Sequence, residues 1–135
     1  LKAFKLFVVD VGLLSCMGGL KQEVLLDGDK FFVEFKGALT EQYVLQQIKT
    51  VSDMGVYYWT NNRNTAEIDF LLDNGNTIIP LEVKAETNLH SKSLKAFADK
   101  YEIPLSVRTS MSDYKREDRL LNLPLYAISE LDKNL

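Results

Sequence analysis

Acidic residues and a lysine interrupt two apolar runs at spacings that suit metal-assisted chemistry. Asp69 lies in EIDFLL, and Glu82 and Lys84 lie in PLEVK after the next turn. Ionised groups within β-rich apolar runs are costly to bury unless something pairs with them. Carboxylate oxygens suit Mg²⁺ or Mn²⁺, and an acidic metal cluster beside a lysine suits phosphodiester hydrolysis. The alternative is that Glu82 and Lys84 form a surface ion pair on an amphipathic strand, which would contribute little to stability.

The turn between these runs predicts how the acids are arranged. Asp73-Asn74-Gly75-Asn76 is a strong hairpin signal, and a two-residue turn at Asn74-Gly75 would set Glu67 opposite Glu82. Alternation then predicts that the charged residues share one face and the apolar residues the other. The charged set is Glu67, Asp69, Glu82 and Lys84, and the apolar set is Ile68, Phe70, Ile79, Leu81 and Val83. Pro80 indicates a strand edge or a bulge.

Glu41 is a further candidate, because it lies in a predicted helix spanning residues 30–51. Its neighbours at helical spacing are Ala38, Leu45 and Ile48, which form an apolar face. A carboxylate on such a face either joins the acidic site or is a boundary residue paired with a lysine or arginine.

The remaining pattern supplies the elements that must position these side chains. Residues 5–9 predict a strand, and Asp10 caps a helix over 11–17 that Gly18-Gly19 ends. Strands are expected at 56–60, 68–72, 77–83 and 104–109, with a helix ending at residue 100. We expect a polar loop over 110–118, a closing strand or extended segment over 123–128 and at most one final helical turn. This order predicts an α/β domain with a mixed sheet and helices on its faces.

Composition limits the classes of protein that need to be considered. A length of 135 residues fits one domain over 1–135, and a net charge of −3 provides no overall basic field for nucleic acid. The basic residues of the second half could still form a local basic face. The single cysteine, Cys16, excludes an internal disulfide and is expected in the core, and no His or Cys pair suits zinc. The apolar runs are too short to span a membrane, and we expect a cytoplasmic piece of a longer protein.

Four weaker candidates remain in the sequence. Arg63, in a polar turn, is either a phosphate contact or a solvated side chain, and Arg108 could face the acidic cluster. The aromatic run 57–59 would stack on bases or fill the core. His90, the only histidine, is expected at the surface.

The arrangement of Asp69, then Glu82-Val83-Lys84 on a hairpin, after a helix with Glu41, resembles the PD-(D/E)xK nuclease superfamily. The resemblance implies a restriction-endonuclease-like three-layer α/β domain with a mixed central sheet flanked by helices. It also implies that Asp69 and Glu82 bind Mg²⁺ or Mn²⁺, that Lys84 assists the attacking water, and that Glu41 completes the catalytic set. The proline that the superfamily places before the Asp is replaced by Ile68.

Nearly the whole chain resembles the C-terminal domain of unknown function of predicted bacterial and archaeal AAA-superfamily ATPases. The matching segments are FKLFVVDVGLL, GALTE, YYW, EIDF, PLEVK, SVR and LPLY. The resemblance implies an N-terminal P-loop ATPase module as partner, although no P-loop motif occurs in this chain. The expected function is magnesium-dependent hydrolysis of DNA. The alternatives are a catalytically silent nucleic-acid- or protein-binding module and a structural oligomerisation domain.

Overall fold

A computed structural model describes residues 4–20, 30–61, 65–87 and 90–135 of the chain. The described residues form three α-helices, namely α1 (Val11–Met17), α2 (Lys30–Val51) and α3 (Lys92–Lys100). The strands are β1 (Gly55–Thr60), β2 (Glu67–Asp73), β3 (Ile78–Val83), β4 (Ser106–Ser110), β5 (Lys115–Glu117) and β6 (Leu120–Pro124). A 3₁₀ helix, Leu125–Asn134, follows β6.

These strands form one mixed sheet in the order β1-β2-β3-β4-β6-β5. The pairs β1/β2, β2/β3 and β5/β6 are antiparallel, whereas β3/β4 and β4/β6 are parallel. The crossover from β3 to β4 passes through α3, as a parallel pair requires. The predicted α/β class and mixed sheet are confirmed.

Helices cover both faces of the sheet, which makes three layers. On one face, Val44 and Ile48 of α2 and Ile128 and Leu131 of the 3₁₀ helix are buried against Phe70 and other strand residues. On the other face, α3 buries Leu94, Phe97 and Ala98 against Ile68. We refer to these as the α2 face and the α3 face. No helix in the described ranges has the length and apolar character needed to cross a lipid bilayer.

The hairpin of β2 and β3 has a different register from the predicted one. Its pairs run from Asp73↔Ile78 to Phe70↔Leu81, so the loop holds Asn74–Thr77 and not two residues. The Asn74 side chain accepts hydrogen bonds from the backbone N–H groups of Asn76 and Thr77, which stabilises the longer loop. Continuing this register sets Asp69, not Glu67, across from Glu82.

A β-bulge in β2 changes which residues share a face. Tyr57 pairs with Leu71 while Trp59 pairs with Ile68, so β2 has one residue more than β1 over this interval. The extra residue lies at Asp69-Phe70. As a result Ile68 packs on the α3 face and Phe70 on the α2 face, and the predicted common face for these two residues is wrong.

Pro80 lies in an internal strand and not at an edge. It pairs with Leu71 of β2, while the parallel pairing of β3 with β4 involves the later residues Leu81, Glu82 and Val83. The missing N–H of Pro80 therefore removes no donor from the paired stretch that joins β3 to β4.

Other local expectations also differ from the structure. Residues 5–9 form no strand, and the expected loop contains the short strand β5, which pairs with β6. The chain ends in a 3₁₀ helix of 10 residues, longer than the single turn expected. Its buried Ile128 and Leu131 explain the difference, because tertiary packing stabilises helical turns that local propensity alone leaves marginal.

Candidate functional site

Lys5 joins two of the predicted site residues. Its Nζ lies 3.0 Å from Oε2 of Glu41 and 3.4 Å from Oδ1 of Asp69. All three side chains are largely withdrawn from solvent, with exposed fractions of 21%, 26% and 12% respectively. The low exposure strengthens the attraction between them compared with a surface pair. Glu41 is therefore a paired boundary residue that also lies beside Asp69.

The N-terminal segment is held in place by α2, and this positions Lys5. The Gln42 side chain pairs with the backbone of Val8 like a neighbouring strand, accepting from its N–H and donating to its carbonyl, each at 2.9 Å. The Phe7 ring packs on Phe70, with ring centroids 5.7 Å apart. Lys5 and Phe7 consequently turn inward, while Leu6 between them is 84% exposed.

Asp69 reaches from the bulge in β2 to the backbone of β3. Its Oδ2 accepts a hydrogen bond of 2.8 Å from the N–H of Val83, the residue after Glu82. The bulge makes this possible, because it aims the Asp69 side chain into the space where the β2/β3 pairing ends. Asp69 thus lies against the peptide unit that links Glu82 to Val83.

Glu82 and Lys84 form the second ion pair of the site. Oε1 of Glu82 lies 2.6 Å from Nζ of Lys84, and the Glu82 carboxylate is only 11% exposed. The other oxygen, Oε2, is buried and has no hydrogen-bond partner in the described residues. A buried carboxylate oxygen without a donor is costly, so this atom indicates a place where a further ligand would be stabilised.

The two pairs lie on different sides of the sheet. Leu81 belongs to the core on the α2 face and Val83 packs against that core, so alternation turns Glu82 toward the α3 face. Its partner across the parallel pair β3/β4 is Arg108, which is also buried. Asp69 and Glu82 therefore meet at the Glu82–Val83 peptide and do not share one carboxylate face as predicted.

The electrostatic environment shifts the pKa values of the Lys5–Glu41 pair. Burial raises the pKa of Glu41, the negative charges of Asp69 and Glu67 raise it further, and Lys5 opposes them without reversing the shift. Burial by itself lowers the pKa of Lys5, but the hydrogen bond and charge of Glu41 and the charges of Asp69 and Glu67 raise it above its usual value. Lys5 is therefore the cation that keeps this acidic cluster together.

A metal held by both Asp69 and Glu82 would lie at the Glu82–Val83 peptide, which the two side chains approach from different sides. Within the described ranges, no three His, Cys, Asp or Glu side chains are close enough together to hold a metal ion. Mg²⁺ usually binds through one or two carboxylates and keeps several waters or substrate phosphates, so Asp69 and Glu82 stay the candidate ligands. The unpartnered Oε2 of Glu82 fits this donor set. The roles assigned to Glu41, Asp69, Glu82 and Lys84 stay predictions.

The weaker candidates are distributed as follows. Trp59 packs on Phe97 with ring centroids 5.0 Å apart, whereas Tyr57 is 60% exposed. His90 is exposed as predicted, and Arg63 lies outside the described residues. Cys16, expected in the core, is exposed because α1 buries none of its residues.

The sequence analysis overlooked Lys5 as a site residue. Its position in the apolar run KLFVV indicated a strand, but nothing local identified partners that lie 36 and 64 residues away. Alternation along the run groups Lys5 with Phe7 and Leu6 with Val8, but the sequence does not show which of these pairs turns inward.

Comparison with known proteins identifies the family of the chain and leaves its activity undefined. No curated protein and no solved structure is significantly similar to it. The sequence profile of DUF4143, a domain of unknown function, matches residues 36–128, which include all four predicted site residues. Because this match spans more than half of the chain, the protein belongs to the DUF4143 family.

Proposed function

We propose that this domain is a magnesium-dependent phosphodiesterase that acts on DNA, with Asp69 and Glu82 holding the metal. The observation that carries the proposal is the buried Oε2 of Glu82, which has no partner in the described residues, beside the Val83 amide that binds Asp69. A buried carboxylate oxygen without a hydrogen-bond donor would be stabilised by a divalent cation. A second carboxylate nearby could bind the same cation.

Several residues of the chain would have distinct roles in the proposed reaction. Asp69 and Glu82 would hold the magnesium, which would supply Lewis-acid polarisation of the phosphate and activation of water. The Val83 N–H fixes one oxygen of Asp69, which leaves Oδ1 to face Lys5. Lys84, 34% exposed and bound to Oε1 of Glu82, is accessible enough to orient a water or to balance negative charge. Glu41 would hold Lys5 beside Asp69.

A second function is favoured by the contacts of Lys5. Its ammonium already offsets part of the negative charge of Glu41 and Asp69, so the two acids can lie close together without a metal. The domain would then be a catalytically silent module that binds nucleic acid or protein for an attached ATPase. The same resemblance supports an N-terminal P-loop ATPase module as partner and a cytoplasmic location in either case.

Titration calorimetry with Mg²⁺ and Mn²⁺ tests the metal site. Wild type should bind at millimolar metal, and Asp69→Ala and Glu82→Ala should abolish the heat, because each removes one of two protein ligands. Asp53→Ala is the matched control, since this exposed acid follows α2 and lies outside the site. Absence of binding by the wild type would contradict the metal site and support the silent module.

Cleavage of supercoiled plasmid then separates the two functions. Nicking that requires Mg²⁺ and is lost in Lys84→Met, with metal binding retained, supports the phosphodiesterase. Metal binding without nicking of plasmid or of single-stranded DNA supports the silent module.

A further inference from the structure

A second recess lies on the α3 face, away from the Lys5–Glu41 pair. It is a cavity of about 440 Å³ between α3 and the strands β4 to β6. This volume falls within the usual range for small-molecule sites, about 300–1,000 Å³. The following residues of its lining matter for what it could bind: Ser91, Lys92, Leu94, Lys95, Ser106 and Arg108.

Two hydroxyl groups in this lining have no hydrogen-bond partner among the described residues. Ser106, on β4, is 3% exposed, and its Oγ is buried without a hydrogen-bond partner in the described part of the chain. The Oγ of Ser91, at the N-terminus of α3, is also buried without a hydrogen-bond partner in the described residues. A buried hydroxyl without a partner is costly, and both hydroxyls belong to the same cavity. A ligand with acceptor atoms would satisfy both.

The cationic side chains around these hydroxyls favour a negatively charged acceptor. Arg108 is 3% exposed, and its Nε donates to Oδ1 of Asn122 at 2.9 Å. Lys92 and Lys95 take part in no ion pair with other described residues. A guanidinium, two ammonium groups and hydroxyl donors are the groups that proteins use to bind phosphate.

Carboxylates also line the cavity, but cations already bind them. Arg119 lies 3.1 Å from Asp99 and 3.9 Å from Asp118. Glu117, which also faces Arg108, is paired with Lys115. Among the described residues of the lining, not counting His90, four cationic side chains stand against three carboxylates, which gives a net charge of +1.

The N-terminus of α3 adds backbone donors to the same place. Ser91 is its N-cap residue, yet the Ser91 side chain makes no capping hydrogen bond. The first N–H groups of a helix have no partner within the helix and carry partial positive charge. Because Ser91 and Lys92 line the cavity, an oxyanion there would lie at this helix end.

We propose that this cavity binds a small phosphomonoester with an apolar or aromatic body. Its phosphate would accept hydrogen bonds from Ser91 and Ser106 and lie beside Arg108. Its body would pack on the apolar part of the lining, which comprises Leu94, Ala98 and Leu120. Arg108 is the strand partner of Glu82, so the cavity adjoins one proposed metal ligand, but the binding proposed here requires neither metal nor catalysis.

The probes are inorganic phosphate and adenosine monophosphate. Their binding is measured by calorimetry and by changes in amide chemical shifts in NMR spectra. We expect saturable binding that perturbs α3 and β4, with the nucleotide tighter than phosphate. Ser106→Ala should weaken nucleotide binding about tenfold, because it removes a donor to a charged group. Removing a hydroxyl without a partner should not lower the stability of the free protein, so a loss of affinity would not reflect unfolding.

Thr109→Val is the matched control. Thr109 also lies in β4 and has a buried hydroxyl with no partner in the described residues, but it does not line the cavity. This variant, and Asp69→Ala at the other site, should bind the nucleotide like the wild type.

Three results would overturn the proposal. One is no binding of either probe at millimolar concentration, which would mean that water satisfies the hydroxyls. Another is equal affinity for phosphate and the nucleotide, which would exclude a role for the apolar body. The third is the same affinity in Ser106→Ala as in the wild type.

Discussion

At the scale of single residues, the ion pairs of Lys5 decide how the acids behave. A lysine that lies between Glu41 and Asp69 satisfies both, yet the pKa of Glu41 is still raised because burial and the nearby negative charges outweigh this attraction. Glu41 is therefore a group that folding makes harder to ionise. Because each state of ionisation has its own folding free energy, this residue links stability to pH.

Replacing Glu41 by Gln should reveal this linkage. The pKa of Glu41 in the folded state lies above its ordinary value of 4.5, so the folded protein holds this proton more tightly than the unfolded chain. The resulting stabilisation is complete below pH 4.5 and is lost as the pH rises through the pKa of the folded state. The stability of the wild type relative to Glu41→Gln should thus fall over this interval.

Urea denaturation of both proteins at a series of pH values, with a chelator present, measures this difference. Glu130→Gln is the control, because Glu130 lies in the exposed ion pair with Lys133. A difference between wild type and Glu41→Gln that rises with pH would contradict the raised pKa.

At the scale of elements, the bulge in β2 separates the two parts of the site. Without it, strand alternation would give Ile68 and Phe70 the same face and would leave Asp69 on the opposite one. The extra residue lets Phe70 join the core under α2 while Asp69 reaches Lys5 and the backbone of Val83. A local irregularity of one residue therefore positions the acid.

Two glycines should respond in opposite directions to substitution by alanine. Gly37 lies inside α2 with open space where a Cβ would be, so Gly37→Ala should stabilise the protein by about 0.8 kcal/mol through helix propensity. Gly75, in the loop between β2 and β3, has a φ of +87°. Gly75→Ala should destabilise the protein by about 1 kcal/mol, since L-residues are strained there.

Urea denaturation of the two variants beside the wild type measures both effects, and each variant serves as the control for the other. A stabilising Gly75→Ala or a destabilising Gly37→Ala would contradict the backbone conformations described for these elements.

At the scale of the whole molecule, the N-terminal segment completes the domain. It contributes Lys5 to the site and Phe7 to the core, and its attachment depends on polar contacts with α2. Gln42, 1% exposed, binds both backbone groups of Val8, and Gln46 accepts from the N–H of Val11. A helix side chain thus takes the place that a neighbouring strand would normally fill.

Gln42→Leu should release this segment. The substitution keeps the volume of the side chain but leaves two backbone groups of Val8 without partners, which should cost about 2 kcal/mol of stability. Hydrogen exchange at the Val8 amide should accelerate in NMR measurements, together with a lower urea midpoint.

Gln47→Leu on the same helix is the control, because Gln47 makes no hydrogen bond to the described residues through its side chain. It should stay within about 0.5 kcal/mol of the wild type. Unchanged exchange at Val8 in Gln42→Leu would show that the segment is held by other contacts.

Local signals in the sequence determined much of the fold. The Asp10 cap, the periodicity of α2 and the β-branched and aromatic runs predicted α1, α2 and most strands, since each depends on residues close in the chain. The same signals selected Glu41, Asp69, Glu82 and Lys84 as chemically unusual. They did not predict β5 or the 3₁₀ helix, because tertiary contacts stabilise both. β5 is stabilised by its pairing with β6 (LLNLP), and the 3₁₀ helix by the burial of Ile128 and Leu131.

The sequence by itself therefore determined the α/β class of this protein and which ionisable residues interrupt its apolar runs, because propensity and alternation are local properties. Only the tertiary structure decided how those residues are paired. The register of β2 and β3, the bulge at Asp69 and the approach of Lys5 to Glu41 depend on which distant segments meet. Burial and charge pairing act through that spatial arrangement, which no short stretch of sequence specifies.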